Sequence, residues 1–177
     1  EEEDEDAEEE KPEEVKGHAK DADNLSAIES SLKVMSKTLK NLVNATLSDN
    51  KRKLTDAYDG ETNIPTALKK KLKKYGVEIC AIQFLFNPKS FTQTIENIFH
   101  YSFLIKKAVA TLNVREKGFG EYIGEESKPG PKVKYVIGTK NLQHPPPKQA
   151  ILSLTLKDYR DLCKAYNVTK GDLPHRT

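Results

Sequence analysis

The sequence has no tryptophan, one methionine and two cysteines, and no apolar run approaches the ~18–20 residues that a membrane-spanning helix needs. No membrane association is expected. Cys80 and Cys163 lie far apart inside apolar segments, and neither belongs to a C-x-x-C pair. That usage fits small buried hydrophobes in a reducing compartment and gives no disulfide framework. The four histidines, His18, His100, His144 and His175, have no partner at metal-ligand spacing, so no metal is expected. The P-loop pattern, the G-x-S-x-G elbow and H-E-x-x-H are all missing. Gly118, Gly120 and Gly124 are irregularly spaced and follow Arg115-Glu116-Lys117 instead of leading into a helix. Glu96 and His100 stand one helical turn apart, a spacing that favours an ordinary side-chain contact over an acid–base pair. The chain reads as a non-enzyme without a cofactor.

What is present is charge. Of the 177 residues 32% are charged and 36% hydrophobic, enough for one domain of ordinary size with a tail or satellite helix. The formal net charge of +2 conceals a split: residues 1–14 hold eleven acidic groups and one lysine, leaving 28 basic and 16 acidic groups on the other 163, a net of +12. A run of like charge buries too little apolar surface to offset chain entropy, so residues 1–22 are expected to form a disordered acidic linker. A first residue other than methionine is expected of a segment from a longer polypeptide, and no signal peptide is visible at the acidic start.

Residues 23–76 read as a helical segment. Leu25, Ile28, Leu32, Met35, Leu39 and Leu42 follow a 3,4,3,4,3 spacing and share one stripe, which fits packing on the chain's own domain, docking on a partner or a coiled coil. Ser48 to Glu61 is polar and predicts a loop, with Asp59-Gly60 as a turn. A second helix starts near Asn63-Ile64-Pro65, carries Lys69, Lys70, Lys71, Lys73 and Lys74, and stops at Gly76. Such a lysine face is a solvated surface, a phosphate-contacting patch or a nuclear import signal.

Residues 77–177 hold every phenylalanine in the chain. The apolar block Ile79, Ile82, Phe84, Leu85 and Phe86 ends at an Asn87-Pro88 turn. Ser90-Phe91-Thr92-Gln93 has capping-box form and opens a helix on which Phe91, Ile95, Phe99 and Phe103 are assigned to the core. Alternation predicts strands over Ala108–Val114 and Val133–Ile137, joined as a hairpin with a loose tip, and a third strand over Gln149–Leu154. Gly138 to Lys148, with Pro145-Pro146-Pro147, reads as an extended loop. Thr155-x-x-Asp158 opens a last helix that Asn167 ends. This order of elements predicts a small α+β domain of winged-helix type.

The segment Asn87 to Leu104 resembles the signature of the C-terminal domain of non-SMC element four, the kleisin subunit of the SMC-five/SMC-six complex. The matching positions are Asn87, Pro88, Ser90, Phe91, Gln93, Thr94, Glu96, Asn97, Phe99, Ser102, Phe103 and Leu104. A second block looks similar over Gln149, Ile151, Leu154, Leu162, Val168, Pro174, His175 and Arg176. Two departures stand out: Ile105-Lys106-Lys107-Ala108 replaces the family's frequent aspartate-glycine turn, and Tyr159 stands where the family usually has tryptophan.

The resemblance implies a kleisin C-terminal winged-helix domain that binds the SMC-five ATPase head, while an absent N-terminal part engages SMC-six, closing a ring around DNA. It also implies MAGE-like and RING-type partner subunits, a nuclear, chromosome-associated setting, and a role in DNA repair and chromosome maintenance. Leu154, Tyr159, Leu162 and Tyr166 are the expected contacts with the head, whereas Gln93 and Asn97 are expected to hold the Asn87-Pro88 turn by hydrogen bonds. The alternative is a nonspecific DNA-binding module acting through Lys69, Lys70, Lys71, Lys73 and Lys74 with the loop lysines Lys128, Lys132, Lys134 and Lys140.

Overall fold

The computed structural model describes residues 17–126, 130–132, 134–139 and 154–177. The first sixteen residues of the expected acidic linker therefore lie outside the described residues, as do Lys128, Val133, Lys140, Pro145-Pro146-Pro147, Gln149 and Ile151.

Helix α1 (Gly17–Ala57) is 41 residues long, or roughly 60 Å at 1.5 Å per residue. It departs from expectation at both ends. It begins inside the stretch expected to be a disordered linker, and it runs through the segment expected to be a polar loop. The second difference has a clear cause: Ser48 to Ala57 contains no glycine or proline, and Val43, Leu47 and Leu54 extend the apolar stripe, with Leu54 only 1% exposed. The chain then reverses at Asp59 (φ 53°) and Gly60 (φ 133°), makes a short 3-10 turn at Glu61–Asn63, and enters α2 (Thr66–Tyr75) directly after Pro65. Gly76 ends α2 in a right-handed conformation and is required by close approach, because a Cβ there would lie 2.6 Å from the Leu72 carbonyl oxygen.

The family-like region follows as β1 (Ile79–Cys80), α3 (Ala81–Leu85), α4 (Phe91–Lys106), β2 (Ala110–Arg115), α5 (Phe119–Tyr122), β3 (Lys134–Thr139) and α6 (Leu156–Ala165). The strands form an antiparallel sheet in the order β1-β3-β2, with Leu112 and Ile79 both opposite Ile137. Strand β1 is therefore the third strand of the sheet. The expected third strand, over 149–154, lies outside the described residues except for Leu154, which is not in a strand. A three-stranded sheet with α3 and α4 between its first two strands, and a long connection between β2 and β3, is an α+β winged-helix-like arrangement.

Two apolar clusters hold the chain together. The larger gathers Met35 and Leu39 of α1, Phe84, Phe86, Tyr101, Leu104, Ile137, Tyr159, Val168 and Leu173. Tyr101 is 2% exposed, and its hydroxyl donates to the Thr111 carbonyl at 2.6 Å, tying α4 to β2. Burial pushes that phenol far above its ordinary range. The smaller cluster joins Leu54, Ile64, Leu72 and Phe119, so the far end of α1 is pinned by α2 and α5.

Helix ends follow local rules. α6 has a complete capping box, Thr155 Oγ1 accepting from the Asp158 N–H at 3.1 Å and an Asp158 carboxylate oxygen accepting from the Thr155 N–H at 3.3 Å. It ends at Asn167 in the left-handed region (φ 49°), with the Val168 N–H donating to the Cys163 carbonyl at 2.8 Å. After α4 the left-handed position falls on Ala108 (φ 56°), where a glycine would be unstrained.

Candidate protein-docking face

Helix α4 decides what the domain shows to its surroundings. Ser90 caps it, its hydroxyl accepting from the Gln93 N–H at 3.2 Å. The reciprocal half of the expected capping box does not form. Gln93 Oε1 instead accepts from Asn87 Nδ2 and from the Arg176 N–H, both at 2.9 Å, and Gln93 Nε2 donates to the Arg176 carbonyl.

The face of α4 turned inward is Thr94, Asn97, Tyr101 and Leu104. Two of these are polar, and both are satisfied. Thr94 Oγ1 accepts from the Asn87 N–H at 2.8 Å and donates back to the Ser90 carbonyl at 3.0 Å, while Asn97 Nδ2 donates to the Leu85 carbonyl at 2.9 Å. Asn87 is the hub: its Oδ1 accepts from the Lys89 N–H at 2.9 Å, its Nδ2 lies 2.9 Å from His175 Nδ1, and its carbonyl accepts from the Tyr159 hydroxyl at 2.5 Å. These bonds replace water for the backbone groups freed where α3 stops and α4 starts. Arg176 completes the clasp, reaching Glu96 at 2.8 Å and Asn97 Oδ1 at 3.3 Å. Asn87, Gln93, Glu96 and Asn97 thus fasten His175 and Arg176 across α4, while Thr94 holds the turn before it.

Because polar residues hold the inner face, apolar ones are left outside. This corrects the core assignment for two of the four residues: Phe99 is 55% exposed and Ile95 38%, while Phe91 and Phe103 are half-buried and pack against the larger cluster. The Phe99 ring meets Phe103 edge-on at 5.0 Å and lies 6.2 Å from the His100 ring. His100 in turn lines a groove of about 280 Å³ between α1 and α4, shared with Val34, Met35, Pro174 and Arg176. Val34 is 48% exposed. Val34, His100, Phe99 and Ile95 therefore form a continuous, mostly apolar strip on two helices. Within it His100 Nδ1 is buried and has no hydrogen-bond partner among the described residues. Burial, and then the charge of Arg176, holds the imidazole below its ordinary pKa against the opposing pull of Glu96.

The residues expected to meet a partner on α6 are placed differently. Tyr159 is buried at 7% exposure and packs against Phe86 and Phe91 as part of the core. Leu154, Leu162 and Tyr166 are half-buried and pack on the same cluster. On this helix the exposed large apolar residue is Leu156, at 44%. The lysines divide as well. Lys69, Lys70, Lys73 and Lys74 are exposed on α2 and Lys132 is exposed beyond α5, but Lys134 is tied to Glu121 and Lys71 lies over the Tyr122 ring at 4.6 Å. Cys80 and Cys163 are free thiols, and the described residues contain no group of His, Cys, Asp and Glu able to hold a metal ion. Among them no helix is long and apolar enough to cross a membrane.

The exposed strip escaped the sequence reading, although a signal was present. Thr94, Asn97, Tyr101 and Leu104 have a 3,4,3 spacing as regular as that of Phe91, Ile95, Phe99 and Phe103. Hydrophobicity alone favoured the wrong face.

Residues 78–173 match the family model described as Nse4 C-terminal. The match starts just before β1 and closes where the 173–176 clasp begins, leaving α1 and α2 outside it. A Schizosaccharomyces pombe protein, "Non-structural maintenance of chromosome element 4", is 32% identical over 96 residues, 54% of this chain. The aligned part is 29% of that relative's length. With the Asn87–Leu104 signature inside the matched span, the chain belongs to the Nse4 C-terminal family.

Proposed function

We propose that this chain is a non-catalytic adaptor, the C-terminal part of a kleisin subunit of the SMC-five/SMC-six complex, and that its winged-helix-like domain docks on the SMC-five ATPase head. The observation that carries this reading is Phe99, a large aromatic side chain 55% exposed on a helix that is capped and clasped at its N-terminal end. Exposed aromatic and aliphatic groups on a rigid element are the usual anchors of a protein interface. The contact is assigned to Ile95 and Phe99 on α4, with Val34 and His100 along the groove. Leu154, Leu162 and Tyr166 pack on the larger cluster, and Tyr159 holds the Asn87 turn.

An interface of standard size, on the order of 1,600 Å² in total, is larger than this strip, so neighbouring polar surface forms its rim. By the same family-based reading the head contact helps close a ring around DNA, in the nucleus, in the service of DNA repair and chromosome maintenance. The segments that precede the matched region, α1 among them, are then the place for MAGE-like and RING-type subunits, and SMC-six is engaged by a part of the kleisin absent here.

The test is calorimetric titration of the whole chain into a purified SMC-five head at about 0.3 M salt, where charge attraction is screened beyond a few ångströms. Saturable one-to-one binding is expected. Absence of binding by a folded sample, in calorimetry and in a second assay, would overturn the reading.

A further inference from the structure

We infer that α2 and the α5 connection form a nucleic-acid site that contacts the phosphate backbone and is separate from the docking strip. Helix α2 presents Lys69, Lys70, Lys73 and Lys74 within an arc of about 140°, taking about 100° per residue. The opposite side, Leu68, Leu72 and Tyr75, packs into the smaller apolar cluster. The four lysines are exposed, and none has an ion-pair partner among the described residues. Their neighbours are already matched: Lys51 pairs with Glu61 at 3.0 Å, Lys53 with Glu125 at 3.1 Å, and Lys134 with Glu121. The uncompensated positive charge of this corner is therefore concentrated on α2.

A second observation shows that the patch is built. Tyr75 of α2 and Tyr122 of α5 stack at 4.7 Å between ring centroids. Lys71 lies over Tyr122 at 4.6 Å, while Lys74 at 5.2 Å and the Arg115 guanidinium at 5.2 Å lie over Tyr75. The ring faces orient these cations and keep them from spreading into solvent. They also occupy the surfaces on which a base would stack, so the chemistry offered is phosphate recognition without base reading.

An acidic protein surface is the competing occupant, and the apolar pattern speaks against it. None of the exposed large hydrophobic residues lies on α2 or α5, whereas a protein interface needs such anchors at its centre. The two sites also sit at different places along α1, one near its middle and one near its C-terminal end. Val34 of the docking strip and Leu54 beneath α2 are separated by twenty residues of one helix, roughly 30 Å. One chain can thus hold a protein on one side and nucleic acid on the other, and this inference stands whether or not the head-docking reading does.

The test is fluorescence anisotropy of the full chain with a labelled duplex of about 30 base pairs and with one of its strands, across about 50–200 mM salt. Three to four phosphate contacts predict a log–log salt slope of about −3. Lys69→Ala, Lys70→Ala, Lys73→Ala and Lys74→Ala together should weaken binding at least about tenfold at the lowest salt and bring the slope to near zero. An equal charge change elsewhere, Lys33→Ala, Lys37→Ala, Lys40→Ala and Lys106→Ala, should leave the slope within about one of wild type. Tighter binding of the duplex or of the single strand identifies which form of nucleic acid the site takes. Equal losses in the two quadruple variants, no binding by wild type, or displacement by polyglutamate as effective as by unlabelled nucleic acid would overturn the inference. Circular dichroism of both variants separates loss of contact from loss of fold.

Discussion

Helices α4 and α6 start alike and end up facing opposite ways. Each opens on a hydroxyl cap, Ser90 or Thr155, and each carries aromatic residues at helical spacing. In α6 the cap is closed within the helix by Asp158, and Tyr159 turns inward between Phe86 and Phe91. In α4 the residue in the equivalent place, Gln93, is used by Asn87 and the Arg176 backbone, Thr94 and Asn97 turn inward, and Ile95 and Phe99 remain outside. What selects the inner face of α4 is the demand of the Ser90, Asn87 and Leu85 backbone groups for partners, met by side chains that sit inside the domain. In α6 local closure leaves the first turn free to bury Tyr159; in α4 the first turns serve the turn before it, so Ile95 and Phe99 stay outside although Tyr101, further along, is buried.

The contrast can be broken hardest at Tyr159. Tyr159→Ala removes a buried ring and the hydroxyl that donates to Asn87, and is expected to cost about 3–5 kcal/mol in chemical denaturation. A loss under about 1 kcal/mol would put this side chain on the surface. Next is Asn97→Ala, which leaves the buried Leu85 carbonyl without its donor and frees Arg176 from one contact; about 1–3 kcal/mol is expected from the same measurement. Ala108→Gly should act in the other direction, raising stability by about 0.5–1 kcal/mol because the left-handed position after α4 no longer carries a Cβ.

The smallest effect is in pH. His100 is held below its ordinary value in the folded chain, so the unfolded chain binds the proton more readily. Its contribution is complete above the ordinary histidine value of about 6.5 and is lost as pH falls through the depressed value. Wild type should therefore lose more stability than His100→Gln between about pH 7 and pH 5. Equal losses would remove His100 from the buried edge of the groove.

Much of this architecture was legible in residue order. The Asp59-Gly60 turn, the stop at Asn167, the hydroxyl caps and the pairing of β2 with β3 rest on local chemistry, which a sequence displays directly. The length of α1 was not, because Leu47 and Leu54 are too widely spaced to signal a helix until α2 and α5 are seen to cover them. Strand β1 was hidden for a similar reason: two residues, Ile79 and Cys80, become a strand only when Ile137 and Val136 lie alongside. The docking strip depended on which of two equally regular stripes of α4 faced inward. That choice was made by partners distant in sequence, the Leu85 carbonyl and Arg176.

Phe99 is where the two readings of α4 differ most, and Phe99→Ala is the direct test. Its stability and its affinity for the SMC-five head should be measured on the same preparation. A surface anchor predicts unfolding within about 1 kcal/mol of wild type together with head binding weakened at least about tenfold. Unchanged affinity in the folded variant, or a loss of about 3–5 kcal/mol in stability, would contradict it and return Phe99 to the core.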